Sequence, residues 1–317
     1  MFGGIEMKIA FVFSGQGAQY TGMGHELYAN EPSAKEVFDI IDNSLNRRIT
    51  DICFNGDDNE QGRTINTQPC IFAVDMAIAK ALNTRGIVSE GCAGFSLGEY
   101  AALCYAEAIG IGECVSVVEK RANTMQQAVP NGQGAMAAII GLDTKTVEML
   151  CDDIKDHYVA VSNYNSQNQS VVAGETEGVK EAVAKAEKSG GKGIILNVSV
   201  PSHCMLMKSA GETIKDELKS YNITKPLVPI YFNYNGNTCD DPAEIKDLLV
   251  NQVQFPVRWT QTIENMYNDG FDFFIECGPG KTLTGLIKKI LKGKEFEAYH
   301  VDDMETLEKV CDRIKQI

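Results

Sequence analysis

Histidine is scarce in this chain, with four among 317 residues, so chemistry that needs an imidazole has few places to reside. No run of about 18 apolar residues occurs, which argues against a membrane-spanning helix. The ten cysteines include no Cys-x-x-Cys pair, and no two histidines stand at i and i+4. Zinc-ribbon, dithiol-redox and helix-borne zinc chemistry therefore find no ligand spacing. Basic residues are in deficit, 29 Lys and Arg against 43 Asp and Glu for a formal charge of −14, which excludes general attraction to nucleic acid or anionic membrane. An anionic partner would have to find a local basic patch. Internal repeats and low-complexity segments are also missing. The stretch Met1-Phe-Gly-Gly-Ile-Glu-Met7 has neither the basic nor the long apolar region of a secretory signal, and it reads as six added residues ahead of a natural start at Met7. Most cysteines sit in apolar or helical stretches, as reduced thiols do, and a cytoplasmic location is expected.

What is present fits a folded α/β protein. Hydrophobic residues make up 44% and charged residues 23%, enough apolar surface for a sizeable core in one large domain or two interlocked ones. Ile9-Ala-Phe-Val-Phe13 is a short continuous apolar run ending in Ser14-Gly-Gln-Gly17, the pattern of a central parallel strand buried on both faces. Val37, Ile40, Ile41 and Leu45 recur at helical spacing. So do Ile71, Val74, Ile78, Ala81 and Leu82 after the Thr67-Gln-Pro69 start signal. The polar stretch 57–64 reads as a surface loop. A brief strand is expected from Cys92 to Phe95, with an alanine-rich helix from Glu99 to Ile109. The middle third then changes rhythm. Strands at 135–142, 159–163, 170–173 and 193–200, with helices at 144–153 and 177–188, give the order βαββαβ of a ferredoxin-like unit. The expected organisation is thus a larger α/β domain, residues 7–133 and 201–317, carrying an inserted α+β subdomain at 134–200. The larger domain resumes with strands at 230–234 and 271–275 and a helix at 283–291.

Gly94-Phe-Ser96-Leu-Gly98 matches G-x-S-x-G between a short strand and a helix, the context in which a serine projects from a tight elbow. The helix start behind Ser96 would place unpaired N–H groups where an oxyanion forms. A serine needs a base, and the choice is among His25, His157, His203 and His300. His203, in Val200-Pro-Ser-His203-Cys, stands where the inserted unit returns to the larger domain; clefts lie at such junctions. Two look-alikes fail. Tyr20 occupies the third glycine position of a dinucleotide fingerprint begun at Gly15, and Ile275 occupies the first glycine position of a P-loop ending in Gly280-Lys-Thr282.

Together the motifs resemble those of malonyl-CoA:acyl carrier protein transacylases. They are Phe13-Ser-Gly-Gln16-Gly through Gly24, Gly94-Phe-Ser-Leu-Gly-Glu-Tyr100, Arg121, Pro201-Ser-His203-Cys-x-Leu-Met207, Gln252-x-x-x-Pro256-Val-x-Trp259 and Glu276-x-Gly-Pro-Gly280-Lys-Thr-Leu-Thr-Gly285, spread from about Met7 to Leu291. The resemblance implies an α/β-hydrolase-like core with a parallel sheet and a ferredoxin-like insert. It implies Ser96 as acyl-accepting nucleophile, His203 as its base, a backbone carbonyl at Gln252 orienting the imidazole, and the backbone N–H groups of Gln16 and Leu97 as oxyanion hole. Arg121 matches the arginine that holds the malonyl carboxylate, a task suited to a planar fork of donors. Malonyl-CoA and acyl carrier protein are the implied partners, in fatty-acid or polyketide elongation, with no cofactor. Two residues depart from the pattern: Phe95 stands where His is common, and Ala122 follows Arg121 where Gly is usual. Acidic carrier proteins would need a cationic patch, for which Lys288 and Lys289, with Lys281, Lys292 and Lys294 nearby, are the candidates. A serine esterase or thioesterase with the same elbow is the alternative. Arg121, and the lack of a compelling acid residue between Ser96 and His203, weigh against it.

Overall fold

The structure is a computed structural model that describes residues 7–130, 132–198 and 200–317. The expectation for residues 1–6 lies outside the described residues. Among the described residues nine strands form two sheets. The first comprises β1 (Ile9–Phe13), β2 (Gly91–Gly94), β7 (Ile230–Tyr231), β8 (Phe273–Cys277) and β9 (Glu297–Val301), in the order β7-β2-β1-β8-β9 with every pairing parallel. β1 is the centre. Its alternate side chains enter different cores: Ile9, Phe11 and Phe13 pack into the larger cluster, Ala10 and Val12 into the one on the opposite face. That two-faced burial is why the strand is an unbroken apolar run.

Under the larger face runs the helix Thr64–Thr84. Pro69 lies inside it and has no N–H for the carbonyl of Ile65. Arg47 Nη2 occupies that carbonyl instead, at 2.9 Å. The expected surface loop at 57–64 is a correction: Asp58–Gly62 is a short helix, capped by the Asp57 carboxylate on the Glu60 N–H at 2.8 Å. Gln61 is buried, and its amide donates to the carbonyls of Ile52, Cys53 and Gly56 at 2.9, 3.3 and 3.3 Å. A polar composition concealed an inward-facing amide.

The second sheet is antiparallel, with β3 (Gly134–Ile140), β4 (Val159–Ser166), β5 (Gln169–Glu175) and β6 (Lys192–Ile195) in the order β4-β5-β3-β6. Helices Thr144–Asp152 and Thr176–Lys188 complete the ferredoxin-like βαββαβ order. One face of this sheet packs on them; Met136, Val171 and Ala173 of the other meet Cys204. The two units are stitched at Val257, whose N–H donates to Ser162 O at 2.9 Å and whose carbonyl accepts from Tyr164 N at 2.8 Å.

Several elements differ in extent from expectation. β6 ends at Ile195 rather than 200, an exposed edge strand (Ser199 lies outside the described residues), and β7 is only two residues long. The helix after the elbow is Gly98–Tyr105, stopped by Glu107 at φ 58°, where the Ala108 N–H turns back to Leu103 O at 2.9 Å. All ten cysteines are free and nine are buried. Among the described residues no helix is long and apolar enough to cross a membrane, and no group of three or more His, Cys, Asp or Glu could hold a metal ion.

Candidate active site

β1 and β2 end side by side, and the Phe95 N–H donates to Phe13 O at 2.9 Å, so the turn after β2 leaves the sheet directly above the strand. The turn is too tight for side chains at its flanks. A Cβ on Gly94 would lie 1.8 Å from the Gly98 carbonyl carbon, and one on Gly98 would lie 2.3 Å from Phe13 O. Between them Ser96 takes φ 53°, in the left-handed region that L-residues rarely adopt. Asn233 clamps this strained turn from both sides: its Oδ1 accepts the Ser96 N–H at 2.7 Å and its Nδ2 donates to Gly94 O at 2.6 Å.

Of the four histidines only His203 reaches the serine, its Nε2 standing 2.7 Å from Ser96 Oγ. His25 packs edge-on against Phe54, His157 lies 3.6 Å from a Glu175 carboxylate oxygen, and His300 is in β9. His203 Nδ1 lies 2.6 Å from the Gln252 carbonyl oxygen. A carbonyl can only accept, so Nδ1 carries the proton and Nε2 offers its lone pair to the serine hydroxyl. Burial pushes the imidazole down to about 4, helped by the Arg121 charge and opposed by the Gln252 carbonyl. The ring is neutral at pH 7, as a base must be.

Arg121 comes from the helix Ile111–Ala128 and is 1% exposed. Its Nη1 donates to Gln68 Oε1 at 2.7 Å; its Nη2 donates to Gln252 Oε1 at 2.9 Å and to Ser96 Oγ at 3.2 Å. The guanidinium carbon stands 5.5 Å from the Tyr100 ring centre. Burial lowers its pKa from the ordinary arginine value. The Gln252 side chain also donates to Ser96 O at 2.7 Å and to the Glu99 carboxylate at 2.6 Å. Gln68, Glu99, Asn233 and the Gln252 carboxamide were not singled out by sequence reasoning. Glu99 and Gln252 stand in quoted motifs, which was the available signal; Gln68, in the Thr67-Gln-Pro69 helix start, and Asn233, near the end of an expected strand, carried a structural signal and none for the site.

The serine opens into a cleft of about 240 Å³ between the two sheets, lined by Gln16, Ser96 and His203 on one side and by Met136, Val171 and Val198 on the other. Gly15 is packed so closely on the elbow that its Cβ would lie 2.5 Å from Phe95 O, which brings Gln16 beside the serine; Leu97 follows Ser96 directly. Phe95 packs edge-on against Trp259 with ring centres 5.3 Å apart. Leu283 and Leu286 of the helix Thr282–Ile290 also line the cleft. The Glu276 carboxylate fixes that helix start by accepting the N–H groups of Leu283 and Thr284 at 2.9 and 2.7 Å. Lys288 and Lys289 are exposed on its last turn, and Lys289 Nζ donates to Gln169 Oε1 at 3.1 Å.

A serine on a strained strand-to-helix turn, with a histidine and a buried arginine on its hydroxyl, has the parts of an acyl-transfer enzyme. Residues 10–312 match the family model described as acyl transferase domain. Within the acyltransferases the chain belongs to the malonyl-CoA:acyl carrier protein transacylase family. The malonyl CoA-acyl carrier protein transacylase of Bacillus subtilis (strain 168) is 38% identical over 312 residues, covering 98% of each chain. The crystal structure of malonyl CoA-acyl carrier protein transacylase from Clostridium perfringens Atcc 13124 is similar with a TM-score of 0.93 at 38% identity, covering 98% of both chains. A malonyl-transacylase in complex with its type II PKS acyl-carrier protein gives a TM-score of 0.93 at 35% identity, over 96% of this chain and 99% of that one.

Proposed function

We propose that the protein transfers the malonyl group of malonyl-CoA to the pantetheine thiol of acyl carrier protein through a malonyl ester on Ser96. The observation that carries this reading is the convergence on one oxygen: Ser96 Oγ is in reach of the base His203 at 2.7 Å and of the cation Arg121 at 3.2 Å. His203 Nε2 takes the hydroxyl proton as Oγ attacks the thioester carbonyl. The oxyanion rests on the N–H groups of Gln16 and Leu97, and the proton passes to the departing coenzyme A thiolate. The carrier thiol then enters the same cleft, gives its proton to His203 and attacks the ester carbonyl, and His203 returns that proton to the Ser96 oxygen as it departs. In the ester, the malonyl carboxylate pairs with the Arg121 guanidinium, which in the empty site meets Gln68, Gln252 and Ser96. No cofactor takes part, and the reaction supplies fatty-acid or polyketide elongation in the cytoplasm. The acidic carrier docks beside the cleft on the Lys288 and Lys289 turn. Incubation with malonyl-CoA followed by intact-mass measurement tests the reading. A malonyl adduct lost on addition of carrier supports it; free malonate released with no adduct would make the protein a hydrolase.

A further inference from the structure

The buried Arg121 side chain meets neutral acceptors, namely Gln68 Oε1, Gln252 Oε1 and Ser96 Oγ. A second ionisable group is buried one carboxamide away. Gln252 accepts from Arg121 Nη2 at 2.9 Å through Oε1, and through Nε2 it donates to Glu99 Oε2 at 2.6 Å. The other Glu99 oxygen accepts the Asn233 N–H. Glu99 is wholly buried, and both of these partners are amides. The orientation of the Gln252 amide is dictated by its neighbours, since Arg121 can only donate while Ser96 O can only accept. A cation and a carboxyl group are thus held apart by one polarised amide in a site closed to water, where their interaction is weakly screened.

We propose that Glu99 is a positioning residue whose carboxylate, where alkaline solution ionises it, is the counter-charge of Arg121 in the empty site, and that it must hold a proton when a substrate carboxylate occupies Arg121. This rests on the reading of Arg121 as the malonyl clamp. Two carboxylates around one guanidinium repel each other, and the one that stays in a dry site with amide partners is protonated at lower cost than the one paired directly with arginine. The proton comes from solvent and ends on a Glu99 oxygen; no bond of the substrate changes. Burial outweighs the two amide bonds and the Arg121 charge and leaves Glu99 raised to about 8, so the free group is mostly protonated at pH 7 and ionises as pH rises through that value. The other titratable groups around the pair are Tyr100 and Cys114, which burial holds protonated, and His203, which burial holds neutral.

The binding test uses Ser96→Ala, which cannot be acylated, titrated calorimetrically at pH 8 in two buffers of different ionisation heat. Malonyl-CoA is expected to take up about half a proton per site more than acetyl-CoA, because a group half-ionised at its pKa becomes protonated. Equal uptake for the two ligands would overturn the proposal. In wild type, the ratio of malonyl to acetyl kcat/KM should fall on the order of tenfold between pH 7 and pH 9 as Glu99 ionises, and should be flat in Glu99→Gln. The calorimetry stands alone if Glu99→Gln does not fold. If Arg121→Ala leaves the malonyl preference intact, the clamp reading fails. If it abolishes the preference while the wild-type ratio is flat with pH, only the role of Glu99 fails.

Discussion

Arg121 Nη2 lies 3.2 Å from Ser96 Oγ, so the cation and the nucleophile touch before any substrate is present. The contact places the positive charge within one acyl-group length of the reacting oxygen. It also helps to lower the basicity of His203, which shares that oxygen.

Removing the nucleophile should abolish the acyl-enzyme. Ser96→Ala is expected to show no malonyl adduct by mass and to lose roughly 10⁴-fold or more in transfer rate. His203→Ala should slow loading and carrier transfer alike, since one imidazole serves both. Stopped-flow rates for the two half-reactions measured separately would expose a defect confined to one, contrary to the shared base.

The acid limb of loading should lie unusually low. His203 must be neutral to accept the serine proton, and burial brings it from 6.5 to about 4. Activity is therefore present above that value and is lost as pH falls through it. A kcat/KM profile that falls away near 6.5 would show that the imidazole is more solvated than the structure has it.

Arg121→Ala should lose malonyl loading far more than acetyl loading. A charge-assisted bidentate pair in a cleft contributes about 2 to 4 kcal/mol, or about 30- to 1000-fold in the ratio of the two kcat/KM values. Arg121→Lys keeps the charge without the fork and should fall between. An equal drop for both substrates would make Arg121 structural.

Reversing charge on the exposed turn should act on the carrier alone. Lys288→Glu with Lys289→Glu is expected to raise the KM for acyl carrier protein about 3- to 10-fold and to leave malonyl-CoA loading unchanged. Equal effects on both substrates would remove the docking role.

Two glycines should respond in opposite directions. Gly94→Ala puts a methyl group 1.8 Å from the Gly98 carbonyl carbon, and a loss of about 3 kcal/mol or more is expected. Gly285, inside the helix Thr282–Ile290, has open space where a Cβ would stand. Gly285→Ala should gain about 0.5 to 1 kcal/mol through a stiffer unfolded chain. Thermal melts of the two variants would check both.

Where structure is local, the residues announced it. The unbroken apolar run of β1 follows from burial on both faces, and the βαββαβ order follows from the alternation of two hydrophobic periods. The elbow was legible because Gly94 is required by a backbone contact only four residues away, against Gly98, whereas Gly98 is required by Phe13 of the distant strand β1. The short helix Asp58–Gly62 was missed for the opposite reason: its stability comes from the Gln61 amide reaching carbonyls of another element, and its composition is that of a loop.

Ser96, His203 and Arg121 could be chosen from motifs and from the scarcity of histidine, but their mutual geometry could not. The Ser96 N–H finds Asn233 at a separation of 137 residues, and its carbonyl finds Gln252 at 156. Contacts of that range leave no periodicity in the chain. The sequence by itself determined which elements form and which side chains have the chemistry for acyl transfer, because propensity, period and functional group belong to individual residues and their near neighbours. Only the tertiary structure decided that a buried arginine faces neutral amides and shares the nucleophile with the base. That depends on which distant segments the packed core brings together and on how much water it leaves between them.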